Sequence, residues 1–198
     1  YIILSQGDNP FFGQLESGIR EKAQELQEYG VSLSIEYGDY SSPEYQDELI
    51  DKLVNNGIDG LAICGFNFQS TAEKLRSLTL CDIPLVTVNT DIPDSGRLAY
   101  VGSNYKKSGR TAGRIMEIAT GGKARVGIIL GSHSVLCHSE RVEGFISYLN
   151  EHASGIIISN IKENHDDDYI SYSIATEMLT SHDPVDAIYL ASAGTLGV

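Results

Sequence analysis

Apolar, β-branched runs near residues 1–5, 32–37, 60–64, 85–89, 125–130, 156–161 and 187–191 alternate with amphipathic stretches along this chain. Strands that read as continuous apolar runs are buried on both faces, and their alternation with helical patterns dictates parallel sheets covered by helices. The strand, helix, strand plan occurs twice, once from Tyr1 and again from Arg125. The expected fold is therefore α/β, with two Rossmann-like lobes of parallel sheet, 1–103 and 104–198, the second left incomplete by its three strands.

The helices announce themselves by spacing. Phe12, Leu15, Ile19, Ala23 and Leu26 make one stripe, with Asn9 and Pro10 suited to the helix start and Gly30 to its stop. Leu49, Ile50, Leu53 and Val54 predict a second helix over about 44–56. Periodicity is lost at Asp91-Ile92-Pro93-Asp94-Ser95-Gly96. A short strand Tyr100 to Gly102 then leads into a helix from about Lys106 to Thr120, which puts the crossover between lobes near 102–105.

Charge excludes some partners. The 27 Asp and Glu against 14 Lys and Arg give a formal charge of −13, which repels nucleic-acid phosphates and anionic membranes. With no run of 18 apolar residues, nothing predicts a membrane-spanning helix. Cys64, Cys81 and Cys137 are odd in number and lack metal-site spacing, so Cys64 and Cys81, in or beside apolar strands, are expected to be buried thiols. Unpaired cysteines favour a reducing, cytoplasmic location. The chain opens within a strand, so a leading segment is expected upstream.

Open α/β sheets bind ligands beyond the carboxyl ends of their strands. The residues falling there are polar and mostly uncharged: Ser5, Gln6, Asn9, Asn89, Thr90, Ser103, Asn104 and Ser192. Asn both donates and accepts, which suits adjacent hydroxyls, and Phe11 or Phe12 offers an apolar face for a sugar ring. The alternative is that Asn9 only caps its helix while both rings are core. Arg141 falls in the expected first turn of a helix whose stripe is Val142, Phe145, Ile146 and Leu149. A cation there opposes the helix dipole and calls for a ligand oxygen or a carboxylate, unless it pairs at the surface with Glu140 or Glu143. Asn164-His165-Asp166-Asp167-Asp168 precedes another helix, where Asp168 is expected to act as cap; no second ligand group points to a metal. His133 and His138 read as loop polar groups. Neither a dinucleotide fingerprint, nor a phosphate-binding loop, nor a nucleophile elbow is present, so no enzyme activity and no cofactor are expected.

Taken in order, several segments resemble the effector-binding core of the lactose-repressor (LacI) family of transcription regulators, within the periplasmic-binding-protein-like type I superfamily. They are Asn9-Pro10-Phe11-Phe12 with Gly18-Ile19, Asn56-Gly57-Ile58-Asp59-Gly60, and Ile83-Pro84-Leu85-Val86-Thr87-Val88-Asn89-Thr90-Asp91. Val101-Gly102-Ser103-Asn104 with Ser108-Gly109-Arg110-Thr111-Ala112-Gly113, Arg141-Val142-Glu143-Gly144-Phe145 and Val185-Asp186-Ala187-Ile188-Tyr189 complete the set. The resemblance implies two lobes closing on a small molecule, usually a sugar. It assigns Ser5, Asn9, Phe11, Phe12 and Asn89 to the first-lobe wall, and Arg141 and Ser192 to the second. The region of His165 and Asp166 matches a position where the family often carries an aromatic stacker. Asn89-Thr90 stands where sugar binders often have Asp-Arg, so a carboxylate grip would need Asp91 to reach in. The implied protein is a homodimeric, allosteric regulator that contacts operator DNA only through a headpiece preceding Tyr1. A sugar-binding protein serving a transporter uses the same cleft and is the alternative.

Overall fold

The computed structural model describes residues 1–5, 10–38 and 42–198, and the side chains of Ser5, Pro10 and Pro43 lie outside that description. The chain divides into two compact units, Tyr1–Gly102 and Ser103–Val198.

Unit 1 carries strands β1 (Ile2–Ser5), β2 (Ile35–Gly38), β3 (Leu61–Ile63), β4 (Leu85–Val88) and β5 (Ala99–Val101), all parallel in the order β2-β1-β3-β4-β5. Helices α1 (Pro10–Leu26), α2 (Pro43–Asn55) and α3 (Gln69–Leu80) connect the first four. The connection from β1 to β2 runs one way across the sheet and the next two run the other way. Right-handed crossovers therefore put α1 on one face, opposite α2 and α3.

That asymmetry shows in the packing. Leu49, Ile50 and Leu53 of α2 and Ala72, Leu75 and Leu78 of α3 form the core with Ile3, Leu61, Ile63 and Leu85 of the sheet. The predicted α1 stripe, Phe12, Leu15, Ile19, Ala23 and Leu26, is only half-buried, because among the described residues of unit 1 no second helix shares its face. Ser42 caps α2 by accepting from Tyr45 N–H, ahead of Pro43 in the first turn.

Unit 2 repeats the plan with β6 (Ala124–Leu130), β7 (Ile156–Glu163) and β8 (Ala187–Leu190), parallel in the order β7-β6-β8. Helix α4 (Tyr105–Thr120) leads in, α5 (Leu136–His152) joins β6 to β7, and α6 (Asp168–Thr180) joins β7 to β8. The central strand divides its side chains by the period of two. Ala124, Val126, Ile128 and Leu130 pack with Val142, Phe145 and Leu149 of α5, while Ile129 packs with Ile174, Ala175 and Met178 of α6.

Several local expectations are corrected. Helix α5 begins at Leu136, so Arg141 lies in its second turn, where the dipole field of the helix start has faded. His138 belongs to that helix and is buried rather than a loop group. Asp167, not Asp168, caps α6 by accepting from Ile170 N–H, and Asp168 instead takes the N–H of Leu196. After β8 the chain forms a 3-10 turn, Thr195–Gly197. Cys64 and Cys137 are buried, whereas Cys81 is exposed at the end of α3.

Candidate functional site

In each unit the strand order reverses beside the first strand, between β1 and β3 and between β6 and β8, which marks a ligand crevice at the carboxyl ends of those strands. In unit 1, Ser5 closes β1, but its side chain lies outside the description, and Asn9 lies outside the described residues altogether. Phe11 is 49% exposed and meets the half-buried Phe12 edge-on at 5.2 Å, so Phe11 is not core.

At the end of β4, Asn89 adopts a left-handed backbone with φ 64°. Asn is one of the few residues that tolerate this conformation. Tyr100 fixes it by donating its hydroxyl to Asn89 O at 2.7 Å, while Asn89 N–H donates to Val101 O at 2.9 Å. The Asn89 amide reaches Cys64 Sγ at 3.8 Å.

Asp91 is hydrogen-bonded within its own turn. One of its oxygens accepts from Thr87 Oγ1 at 2.7 Å and Ile92 N at 2.8 Å, and the other from Arg97 Nη2 at 2.6 Å. The carboxylate is committed to bracing its own turn. These bonds account for the Asp91 carboxylate without a ligand.

Two aromatic residues escaped the sequence reading. Phe66 and Phe68, just past β3, stack at 5.7 Å with planes 20° apart. The fully buried Gln46 of α2 holds their loop, accepting from Phe66 N at 2.8 Å and donating to Phe66 O at 3.1 Å. The alternation Phe66-Asn67-Phe68 after an apolar strand was the available signal.

Unit 2 shows a more complete constellation. Arg141 lays its guanidinium over the ring of the buried Tyr105, 4.4 Å from the centroid, and donates Nη1 to Ala191 O at 3.1 Å. Glu143, one of the two surface partners given as the alternative, pairs with Lys106. Beneath, Phe145 and Tyr189 stack at 4.3 Å. The backbone of Arg141 is set by the contact of α4 with α5, where Gly109 abuts Arg141 O and Gly144 abuts Lys106 O.

The β7–α6 junction joins the same strand end. Asn164, with no exposed surface, donates to Ser171 Oγ at 2.7 Å and Ala193 O at 2.7 Å, and accepts from Asp166 N at 3.0 Å and Ser192 Oγ at 3.1 Å. One amide thus saturates itself and ties β7, α6 and the segment after β8 together. His165 and Asp166 both have left-handed backbones, φ 52° and 61°. His165 is exposed. Asp166 turns back so that Oδ1 accepts from Ala193 N at 2.9 Å.

His138 lies on the same helix as Arg141, one turn earlier. Its Nδ1 accepts from Ser132 N at 3.2 Å, and its Nε2 faces Asp166 Oδ1 at 4.0 Å. Burial pushes its pKa below the ordinary 6.5, with Asp166 pulling it up and Arg141 pushing it further down. Arg141, Asp166 and Ser192 therefore converge on the segment Ala191–Ala193, joined by His138 and Tyr105. The spacing of His138 and Arg141, three apart on one helix, was the sign that both share a face.

A model of the periplasmic binding protein domain matches residues 1–198. The chain belongs to this family. The match does not single out the lactose-repressor regulators. The ribose import binding protein of Escherichia coli K12 is 22% identical over 189 residues, covering 95% of this chain and 62% of the relative. The chain thus spans less than two thirds of that protein's length. The HTH-type transcriptional regulator DegA of Bacillus subtilis is 22% identical over 151 residues, covering 76% of this chain and 43% of the regulator. Among solved structures, the glucose-galactose binding protein GanP of Geobacillus stearothermophilus superposes with a TM-score of 0.85 at 30% identity, over 96% of this chain and 66% of that one. Two doubly wound parallel units are the architecture of this periplasmic-binding-protein family member.

Proposed function

We propose that this chain is the ligand-binding part of a sugar receptor that feeds a transporter, with Arg141, Asp166 and Ser192 as the contribution of unit 2. The observation that supports this most is the chemistry of the unit 2 wall. Guanidinium, carboxylate and hydroxyl groups sit side by side at one strand end, offering both donors and acceptors as a polyol requires. The ribose import binding protein, matched over most of this chain, supports a sugar as ligand and import as its purpose. In unit 1, Ser5, Asn9, Phe11, Phe12 and Asn89 are the candidates for further ligand contacts.

Thermal-shift measurement on the full-length protein with D-ribose, D-arabinose, D-xylose, D-glucose, D-galactose and D-fructose tests the reading. A ligand at a hundredfold excess over its dissociation constant adds about 2.7 kcal/mol of stability. A clear shift with one of these sugars, lost in Arg141→Ala, is expected; no shift with any of them would refute the assignment.

A second reading has its own support. The similarity to DegA favours a sensor core in a homodimeric transcription regulator. Sequence-specific operator binding by the full-length protein, altered by the same sugar, would establish that reading over import. A signal peptide at the start of the gene would establish import.

A further inference from the structure

We propose that His138 and Asp166 together hold one hydroxyl oxygen of the ligand, the imidazole donating to it and the carboxylate accepting from it. The inference rests on the sugar-binding reading and names how that site chooses its ligand.

His138 is only 7% exposed, yet its imidazole makes a single hydrogen bond, from Ser132 N–H to Nδ1. That bond fixes the neutral tautomer, leaving the proton on Nε2. The Nε2–H faces Asp166 Oδ1 at 4.0 Å, which is beyond direct hydrogen bonding. An oxygen about 2.8 Å from each atom closes that gap with an angle near 90°.

Three features hold the gap open. Ala193 N–H anchors Asp166 Oδ1 at 2.9 Å, and consecutive left-handed residues, His165 and Asp166, set the carboxylate's direction. Gly131 lies beneath both groups: a Cβ there would come within 2.5 Å of His138 Cε1 and 2.8 Å of Asp166 Oδ1. The Asp166 side chain is 42% exposed, so the pair is reachable from solvent on the carboxylate side.

The chemistry selects the ligand group. A site made of one fixed donor and one fixed acceptor is satisfied by an atom that accepts and donates at once. A hydroxyl does both. An ammonium cannot accept from Nε2–H, and a phosphate or carboxylate meets the negative charge of Asp166. The proposed subsite therefore takes an uncharged polyol, and it does so without an aromatic stacking surface at the His165–Asp166 position.

Two substitutions at His138 separate this role from a structural one. His138→Asn places an acceptor where Nδ1 was, keeping the Ser132 bond while removing the distal donor. His138→Gln keeps a distal donor and gives up the Ser132 bond. Asp166→Asn retains the Oδ1 acceptor for Ala193 and for the hydroxyl, tolerates the left-handed backbone and removes only the charge that strengthens the hydroxyl bond. Calorimetric titration of the full-length protein with the six sugars named above is the measurement. His138→Asn is expected to weaken binding about tenfold with little change in ligand-free Tm, and Asp166→Asn, through the lost charge, by about three- to tenfold. His138→Gln is expected to bind within a few-fold of wild type while lowering the ligand-free Tm. One monodeoxy form of the bound sugar should lose affinity for wild type but nothing further for His138→Asn. Wild-type affinity in both His138→Asn and Asp166→Asn, with binding still lost in Arg141→Ala, would overturn this subsite and leave the sugar reading standing. Failure of every sugar to bind wild type would overturn both.

Discussion

The contact of α4 with α5 sets where Arg141 stands, and it depends on two missing side chains. A Cβ added at Gly109 would lie 2.0 Å from Arg141 O and 2.9 Å from Phe145 N; one added at Gly144 would lie 2.0 Å from Lys106 O. Carbon and oxygen approach no closer than about 3.3 Å, so Gly109→Ala must part the helices by on the order of 1 Å. Neither obstacle is a flexible side chain that can swing away. Overpacking costs roughly 1–3 kcal/mol, and rigid backbone on both sides places this case at the upper end. Alanine recovers about 1 kcal/mol of helix propensity, leaving a net loss near 2 kcal/mol. For a chain of this size that is a fall of about 4–8 °C in Tm. Gly18 in α1 is the control, since a Cβ there meets nothing within 4 Å. Gly18→Ala should raise Tm by about 2–4 °C, because only the propensity gain remains. The double variant Gly109→Ala with Gly144→Ala should lose less than the sum, because helices already parted accept the second methyl more readily. Thermal unfolding by circular dichroism reads all four proteins. A rise in Tm for Gly109→Ala matching that of Gly18→Ala would refute the close approach.

Other outcomes follow from the same geometry. Asn164→Ala strands four partners at once, so the free energy of unfolding in urea should fall by about 3 kcal/mol; a loss below about 1 kcal/mol would show that water replaces the amide. Asp91→Ala removes the acceptor of Thr87, Ile92 and Arg97, and should cost about 2–3 kcal/mol in the same assay while leaving sugar affinity nearly unchanged. A large loss of affinity would return Asp91 to the ligand. His138 also gives stability a pH dependence, because its pKa in the folded protein lies below 6.5. The unfolded chain takes up the proton first, so the contribution is complete above about pH 6.5 and is lost as pH falls from there to the folded value. The change in unfolding free energy between about pH 7 and pH 5.5 should shrink in His138→Asn, and identical slopes would contradict the buried neutral imidazole.

The fold was legible because its signals are local and redundant. Seven apolar runs at strand positions, with helical stripes such as Leu49, Ile50 and Leu53 between them, leave few topologies once crossovers are right-handed. Periodicity is lost at Asp91–Gly96, and the chain divides into its two compact units after Gly102. Burial was less legible. The α1 stripe reads as core from its spacing, yet it is half-buried, because the number of helices sharing a face is decided by strand order and not by the helix itself.

The candidate site was legible in its residue types and not in their direction. Asp91 carries the right chemistry at the right strand, but Arg97, six residues on, turns its carboxylate inward. Arg141 was singled out for opposing the helix dipole, whereas an earlier helix start and the ring of Tyr105 define its setting. His138 was passed over because the Ser132–Val135 turn gives no apolar pattern to mark where α5 begins.

A crystal structure of the full-length protein with the sugar that gives the thermal shift is the most direct test. The expected electron density shows sugar hydroxyls within hydrogen-bonding distance of the Arg141 guanidinium and the Asp166 carboxylate, with one oxygen also on His138 Nε2. A sugar bound with none of these three side chains in contact would contradict the proposed wall.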